Sequence, residues 1–240
     1  MDAFSQMEDK VQETLMADFQ AMLSGEKDVP EELTDFIEFY RLAADYETRD
    51  ALGAEPLLPY LERIEGLESL EEFCTVWTEL ARAGLPMPFA MGTMADMGDA
   101  SVNALYMIHP GLFLMAKDYY LDDATRTALQ DIYGQMSSNL LVMAGKTEEE
   151  AQQIVSGALA FDERLAAYAL TVQESSEISA SYNPVSLAEL DAQVELFDLA
   201  GGLESLLNET PETVIVAEPD YFAALDELVT EETFAEMKGW

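Results

Sequence analysis

Apolar residues recur every three or four positions along most of the chain. Between residues 3 and 23, Phe4, Met7, Val11, Leu15, Phe19 and Met22 share one stripe of an expected helix whose back is acidic and wet. After Gly25 and the Val29-Pro30 break, residues 31–49 repeat the spacing with Leu33, Phe36, Ile37, Tyr40 and Ala44, so a second helix is expected to pack beside the first. Gly53-Ala54-Glu55-Pro56 interrupts the pattern, and Pro56 can open a helix carrying Leu57, Leu58, Leu61 and Ile64 that Gly66 ends. Ser69-Leu70-Glu71-Glu72 has the Ser-x-x-Glu form in which two side chains cap each other's backbone. The helix that follows would bury Leu70, Phe73, Val76, Trp77 and Leu80 and stop at Gly84-Leu85-Pro86.

Residues 88–109 depart from the helical period. Pro86, Pro88, Gly92 and Gly98 exclude a long helix, and the runs Phe89-Ala90-Met91 and Leu105-Tyr106-Met107-Ile108 flank Asp96-Met97-Gly98-Asp99. A small β-hairpin with carboxylates in its turn is expected. Helical spacing resumes after Asp122 or Asp123, with Leu129, Ile132, Tyr133, Met136, Leu140 and Met143 as the apolar side and Gly145 as the stop. Thr147-Glu148-Glu149-Glu150 is a second capping box, with Ile154, Val155, Ala158, Leu159 and Leu165 expected inward and the three glutamates solvated at the positive end of the helix dipole. Residues 173–181 read as a polar, Ser-rich connection and Ser186-Leu187-Ala188-Glu189 as a further cap. Gly201-Gly202 reads as a break, Val214-Ile215-Val216 as a brief strand, and 219–240 as helix bearing Phe222, Leu225 and Leu228. The expected fold class is mainly α, with a small β-hairpin near residues 88–109.

Composition narrows the function classes. With 49% of residues apolar the chain can offset the entropy of folding, which excludes an acidic disordered tail. Eleven Lys and Arg against 48 Asp and Glu leave a net charge of −37. A field of that sign repels phosphates and anionic lipid, so nucleic acid and direct membrane insertion are not expected. No stretch approaches the roughly 18 apolar residues of a membrane span, and Met1-Asp2-Ala3-Phe4-Ser5 lacks the basic and apolar regions of a signal peptide, so the chain as written reads as soluble.

Candidate chemistry is sparse. Cys74 and His109 are the single residues of their kinds, which excludes an intrachain disulfide, a Cys-rich zinc site and the His-Glu-x-x-His motif. Cys74 reads as a small buried side chain beside Phe73 and Val76, and His109 as a packed or solvated turn residue before Pro110-Gly111. Asp96 and Asp99 fall short of the oxygen set of a calcium loop. Adjacent acids such as Asp162-Glu163 and Glu231-Glu232 are what 48 carboxylates produce by chance. No phosphate loop or nucleophile elbow is present. No catalytic and no metal-ligating residue is assigned.

The order of short motifs adds a resemblance. Ala3-Phe4 followed by Met7 and Asp9 looks like the Phe-containing entry into the first helix of the N-terminal domain of M13 family zinc metallopeptidases, the neprilysin and oligopeptidase O group. Tyr40-Arg41 followed by Gly53-Ala54-Glu55-Pro56-Leu57-Leu58 resembles that family's Tyr-Arg block leading into Glu-Pro-Leu. Asp96, Gly111-Leu112 and Lys117-Asp118-Tyr119-Tyr120 resemble its hairpin aspartate, Gly-Leu and Arg/Lys-Asp-Tyr-Tyr signature. Phe161-Asp162-Glu163-Arg164-Leu165-Ala166 is similar to its Glu-x-x-Leu-Ala segment, and Tyr182-Asn183-Pro184-Val185-Ser186-Leu187 to Tyr-Asn-x-Met-Thr-Leu. Val214 to Tyr221 looks like the strand and Pro-Asp/Glu-Tyr that follow. Departures are His109 where Gln is usual and Met115-Ala116 in place of Leu-Pro; the cysteines of animal members are missing, which fits a bacterial relative.

The resemblance implies that residues 1–240 are part of a single α-helical cap domain, with the catalytic zinc domain absent from this chain. Such a cap closes over the zinc domain around a chamber that admits short peptides. It implies no cofactor in this chain and zinc in the missing domain. Its implied partners are that domain of the same polypeptide and, in the full-length protein, short peptide substrates; the isolated chain should be inactive. Tyr40, Arg41, Glu55, Pro56, Asp96, Asp118, Tyr119, Tyr120, Tyr182 and Asn183 carry the resemblance as structural positions, read as packing and turn hydrogen bonds. Compartment stays open between cytoplasm and exterior, the family favouring the latter. Two other readings remain: a stand-alone acidic helical binding module that kept the cap fold, and a nucleic-acid mimic motivated by charge alone. A chain that docks on a second domain should also expose an apolar patch of more than a few hundred Å².

Overall fold

A computed structural model describes residues 3–240. The chain divides into two compact units, one ending at Pro56 and one running from Leu57 to Trp240.

The first unit is helical. Helix α1 (Ala3–Ser24) is followed by a 3-10 turn at Glu31–Leu33, then by α2 (Thr34–Ala44) and α3 (Tyr46–Leu52). Phe19 of α1 lies 4.8 Å from Phe36 and 5.6 Å from Tyr40 between ring centroids, and Met22 and Ile37 are buried. Residues 31–49 are therefore not one helix. Asp45 ends α2 and caps α3, its carboxylate accepting from the Thr48 amide at 3.0 Å and the Thr48 hydroxyl at 2.8 Å. A side chain that satisfies the first amides of a new helix favours a restart over continuation. The α1 stripe also packs only toward its C-terminal end: Phe4, Met7, Val11 and Leu15 are all exposed.

The second unit begins with α4 (Leu58–Glu65) and α5 (Leu70–Arg82). Pro56 does not open α4; it lies in a 3-10 turn, Glu55–Leu57, and Pro59 takes the first-turn position that lacks an amide partner. Strands β1 (Ala90–Ala95) and β2 (Asn103–Ile108) form the expected hairpin, antiparallel with Met91 opposite Met107. Then come α6 (Asp118–Leu121), α7 (Asp123–Met143), α8 (Glu148–Tyr168), α9 (Val172–Ser175), α10 (Ile178–Ser181), β3 (Pro184–Ser186), α11 (Leu187–Gln193), α12 (Leu199–Leu207), β4 (Thr213–Val216), α13 (Pro219–Leu228) and α14 (Phe234–Gly239). The strands form one sheet of order β1-β2-β4-β3, in which β4 runs parallel to β2 and antiparallel to β3.

The core lies between the sheet and α5, α8, α12 and α13. Met107, Phe161, Leu165, Leu199, Leu203, Val214, Tyr221 and Leu225 are almost completely buried in it. Two inferred boxes form as expected, Thr147 with Glu150 and Ser186 with Glu189, whereas at Ser69 only half forms: Ser69 accepts from the Glu72 amide, but the Glu72 carboxylate accepts from the Glu68 amide instead of that of Ser69. The polar connection holds two single-turn helices, the first capped by Thr171 and Glu174. Gly201-Gly202 does not break the chain but lies inside α12, because Gly202 is the point at which that helix meets the Trp77 ring. Cys74 is only partly buried, packed on the edge of the core.

Helix α7 divides its expected stripe: Leu129 and Tyr133 pack on the edge of the core, while Ile132, Met136, Leu140 and Met143 turn away from it. It has no buried residue, and Ile132, Met136, Leu140 and Met143 are all more than half exposed. Gly134 instead faces α8, where a β-carbon would already touch Leu159 and Val155 at 3.5 Å. The narrow side of α7 is the one that permits close helix approach.

Candidate functional site

The site of most interest in the second unit is a framework of carboxylates around the segment that joins β2 to α6. Two buried acids hold it at its ends. Glu218, at the N-terminus of α13, accepts from the His109 amide at 2.9 Å and, with its other oxygen, from the Leu170 amide at 3.0 Å. Asp162 of α8 is fully buried and accepts from the Phe113 amide at 3.0 Å, the Trp240 indole at 2.8 Å and the Tyr120 hydroxyl. Tyr120 in turn accepts from the Leu114 amide at 3.1 Å. One residue of α8 thereby ties together Phe113, Leu114, Tyr120 of α6 and Trp240, while Glu218 holds His109.

Burial dominates the Asp162 carboxyl and pushes its pKa up, although its three donors oppose the shift. Burial likewise pushes the Tyr120 and Tyr221 phenols up, so both remain protonated donors. The Tyr221 hydroxyl donates to the Pro88 carbonyl at 2.7 Å.

A second cluster lies at the hairpin turn. Tyr182 donates to Asp96 at 2.6 Å, and the Gly98 amide donates to the same oxygen at 2.6 Å. The Tyr182 bond first, then that amide, hold the Asp96 pKa below the usual carboxylate range. The neighbouring Asn183 donates to the carbonyls of Ala180 at 2.8 Å and Val216 at 3.1 Å, tying α10 to β4. Asp118 accepts from the Val172 amide at 2.8 Å at the start of α9, and Tyr119 projects half-exposed beside it.

The structure thus pairs Asp96 with Tyr182 and sets Tyr120 in the Asp162 network. Tyr40, Arg41, Glu55 and Pro56 belong to the first unit, where Tyr40 joins the Phe19 and Phe36 rings and Arg41 makes an exposed ion pair with Glu38 at 2.9 Å. Glu55 and Pro56 are exposed.

Sequence reasoning passed over Asp162 and Glu218 as functional positions. The signal for Asp162 was there: with Ala151, Val155, Ala158 and Leu165 facing inward, position 162 falls on the same stripe, so an acid there must be buried. Its lateness in view comes from the background of 48 acids. His109 packs on Tyr221, its Nδ1 lies 2.6 Å from the Pro110 carbonyl and its Nε2 3.6 Å from Glu218.

Among the described residues, no three His, Cys, Asp or Glu side chains converge to hold a metal ion. Of the cavities near the framework, one lined by Lys117, Leu170, Asn183 and Glu218 is mainly polar, and two others are mainly apolar. One of about 220 Å³ is lined by Leu61, Ile64, Phe73, Met87 and Met237, and the other runs along Met87, Phe89, Pro110 and Leu112. No described helix is long and apolar enough to cross a membrane. What the arrangement does chemically is hold a shape.

The second unit thus joins mainly helical elements to a small mixed sheet and pins the segment after β2 through Glu218 and Asp162. Comparisons place the chain: the model of peptidase family M13, in its N-terminal part, matches residues 1–240. The chain belongs to that family, as an M13 metallopeptidase N-terminal domain. It is 36% identical over 239 residues to a neutral endopeptidase of Lactobacillus helveticus, covering 98% of this chain and 37% of the relative. It is 31% identical over 230 residues to a putative zinc metalloproteinase of Streptococcus gordonii, covering 95% and 41%. Among solved structures, PepO from Lactobacillus rhamnosis superposes with a TM-score of 0.89 at 24% identity, over all of this chain and 38% of that one. The open state of the Mycobacterium tuberculosis zinc metalloprotease Zmp1 gives 0.81 at 19% identity, over 99% and 38%. The chain therefore spans about two fifths of the length of the relatives it matches.

Proposed function

We propose that residues 1–240 are part of a single α-helical cap domain of a zinc metalloendopeptidase, in the family's sense, and that the chain is catalytically silent by itself. The observation that carries this reading is the family match across the whole chain, which spans about two fifths of the relatives' length. Zinc and peptide-bond hydrolysis belong, on this reading, to a catalytic domain that forms the chain's principal partner. When bound there, zinc would polarise the scissile carbonyl and activate water. The contribution of this chain is steric and electrostatic. As part of a cap, the chain would help admit short peptides and exclude folded proteins, and a net charge of −37 favours basic or neutral peptides over acidic ones. The Asp162 and Asp96 networks keep the shell in shape, and the family-like residues Tyr40, Arg41, Glu55, Pro56, Asp118, Tyr119, Tyr120, Tyr182 and Asn183 act through packing and turns.

The test is hydrolysis of a short internally quenched peptide by the purified chain, with and without zinc, and again after the chain is joined to the catalytic part of the Lactobacillus helveticus relative. The expected result is no turnover by the chain alone, and turnover of the peptide but not of the same sequence inside a folded protein by the joined enzyme. Zinc-dependent hydrolysis that co-purifies with the isolated chain would overturn the reading.

A further inference from the structure

One side of α7 is apolar and exposed. Ile132, Met136, Leu140 and Met143 are 63%, 51%, 57% and 71% exposed, and at 100° per residue they fall within one quarter of the helix circumference. Contiguous exposed apolar side chains of this kind mark interaction surfaces more often than isolated ones do.

Charge supplies an independent observation. One residue in four of this chain is charged, yet none of the fourteen from Ile132 to Gly145 is. Asp131 and Lys146 bound the window. A solvated helix face in so acidic a chain should carry carboxylates, as the first turn of α8 does with Glu148, Glu149 and Glu150. Desolvating a charge is costly, so a face cleared of charges is one suited to being covered.

The occupant follows from length and charge. The chain covers only 37% of the Lactobacillus helveticus relative, so most of that polypeptide lies outside the matched region. A second copy of this chain would bring two bodies of net charge −37 together. We infer that the Ile132–Met143 face of α7 docks an apolar stretch of the remaining part of the same endopeptidase polypeptide. This rests on the reading of the chain as a cap of a larger enzyme, and it adds which surface makes the joint.

Accessibility tests it without relying on turnover. In a Cys74→Ala background, Met136→Cys and Leu121→Cys report on the α7 face and on a separate exposed site, Leu121 being 67% exposed. Both are labelled by a maleimide in the isolated chain and in a chimera in which residues 1–240 replace the matching stretch of the Lactobacillus helveticus enzyme. The expected result is at least tenfold slower labelling of Met136→Cys in the chimera, with Leu121→Cys unchanged. Equal labelling of Met136→Cys in both settings, in a chimera that hydrolyses peptide, overturns the docking face and leaves the cap reading intact. Protection that appears in the isolated chain and grows with its concentration overturns it in favour of a second copy. A second measurement needs only the chain itself: Met136→Glu with Leu140→Glu should leave its melting midpoint within about 2 °C. A large drop means the chain already packs that stripe, and the inference fails.

Discussion

Gly202 lies directly beneath the Trp77 ring, so that a β-carbon on it would fall inside the indole. Trp77 is almost wholly buried and meets Phe89 and Phe197 edge-on at 5.5 and 6.3 Å. The ring cannot step aside without disturbing both. Gly202→Ala should cost about 1–3 kcal/mol through overpacking or more if α12 shifts. Gly111→Ala, where a β-carbon meets nothing within 4 Å, serves as the control and should be near neutral. Urea denaturation of the two variants checks this, and equal midpoints would show that the helix contact is looser than described.

The Tyr120 hydroxyl both donates to Asp162 and accepts from the Leu114 amide. Tyr120→Phe strips a partner from each at a buried position, at a cost of about 1–3 kcal/mol. Because Asp162 also serves Phe113 and Trp240, the two residues should not act independently. A double-mutant cycle with Tyr120→Phe and Asp162→Asn should give a coupling of about 0.5–3 kcal/mol. Additive effects would mean that the network is a set of separate bonds.

Local rules made much of this fold legible and long-range ones did not. The boxes at Thr147 and Ser186 were readable because partner and cap lie three residues apart. The hairpin was readable because Pro and Gly excluded the alternative. The direction of α7 was not, because a periodic stripe says that a helix has an apolar side without saying that this chain covers it; small Gly134 decided the packing against α8. Gly202 read as a breaker because its partner, Trp77, is 125 positions away in sequence. At the framework, Tyr182 and Asn183 were visible through family resemblance, whereas Asp162 was hidden among other acids until burial distinguished it.

The Cys74 thiol should be inert. Partial burial first, then the charges of Asp226 and Glu231, push its pKa up to about 12. Near pH 8 the thiolate fraction is then on the order of a thousandfold below that of an ordinary cysteine, and alkylation should slow to match. Iodoacetamide modification followed by mass spectrometry measures it. A rate like that of free cysteine would show that Cys74 is solvated and that the edge of the core there opens.

Acid should act on the stability of this chain through two opposed groups of carboxyls. Glu150 and Glu174 are held below the usual 4.5 by the amides and then the hydroxyls of their capping threonines, and Glu189 by the Ser186 hydroxyl and then its amide. A group with a lowered folded-state pKa binds fewer protons folded than unfolded, so its stabilisation is complete above about 4.5 and disappears as pH falls through the folded value. Asp162 has the reverse sign: burial raises it above 3.8, so its stabilisation is complete below 3.8 and is lost as pH rises through the raised value. Glutamine preserves the box but does not titrate. The triple variant Glu150→Gln, Glu174→Gln, Glu189→Gln should therefore lose less stability than the parent between pH 5 and pH 3, while the advantage of the parent over Asp162→Asn should be greatest in acid and shrink toward neutrality. Urea midpoints across that range decide both, and a triple variant whose acid limb is as steep as the parent's would place the acid sensitivity outside the helix caps.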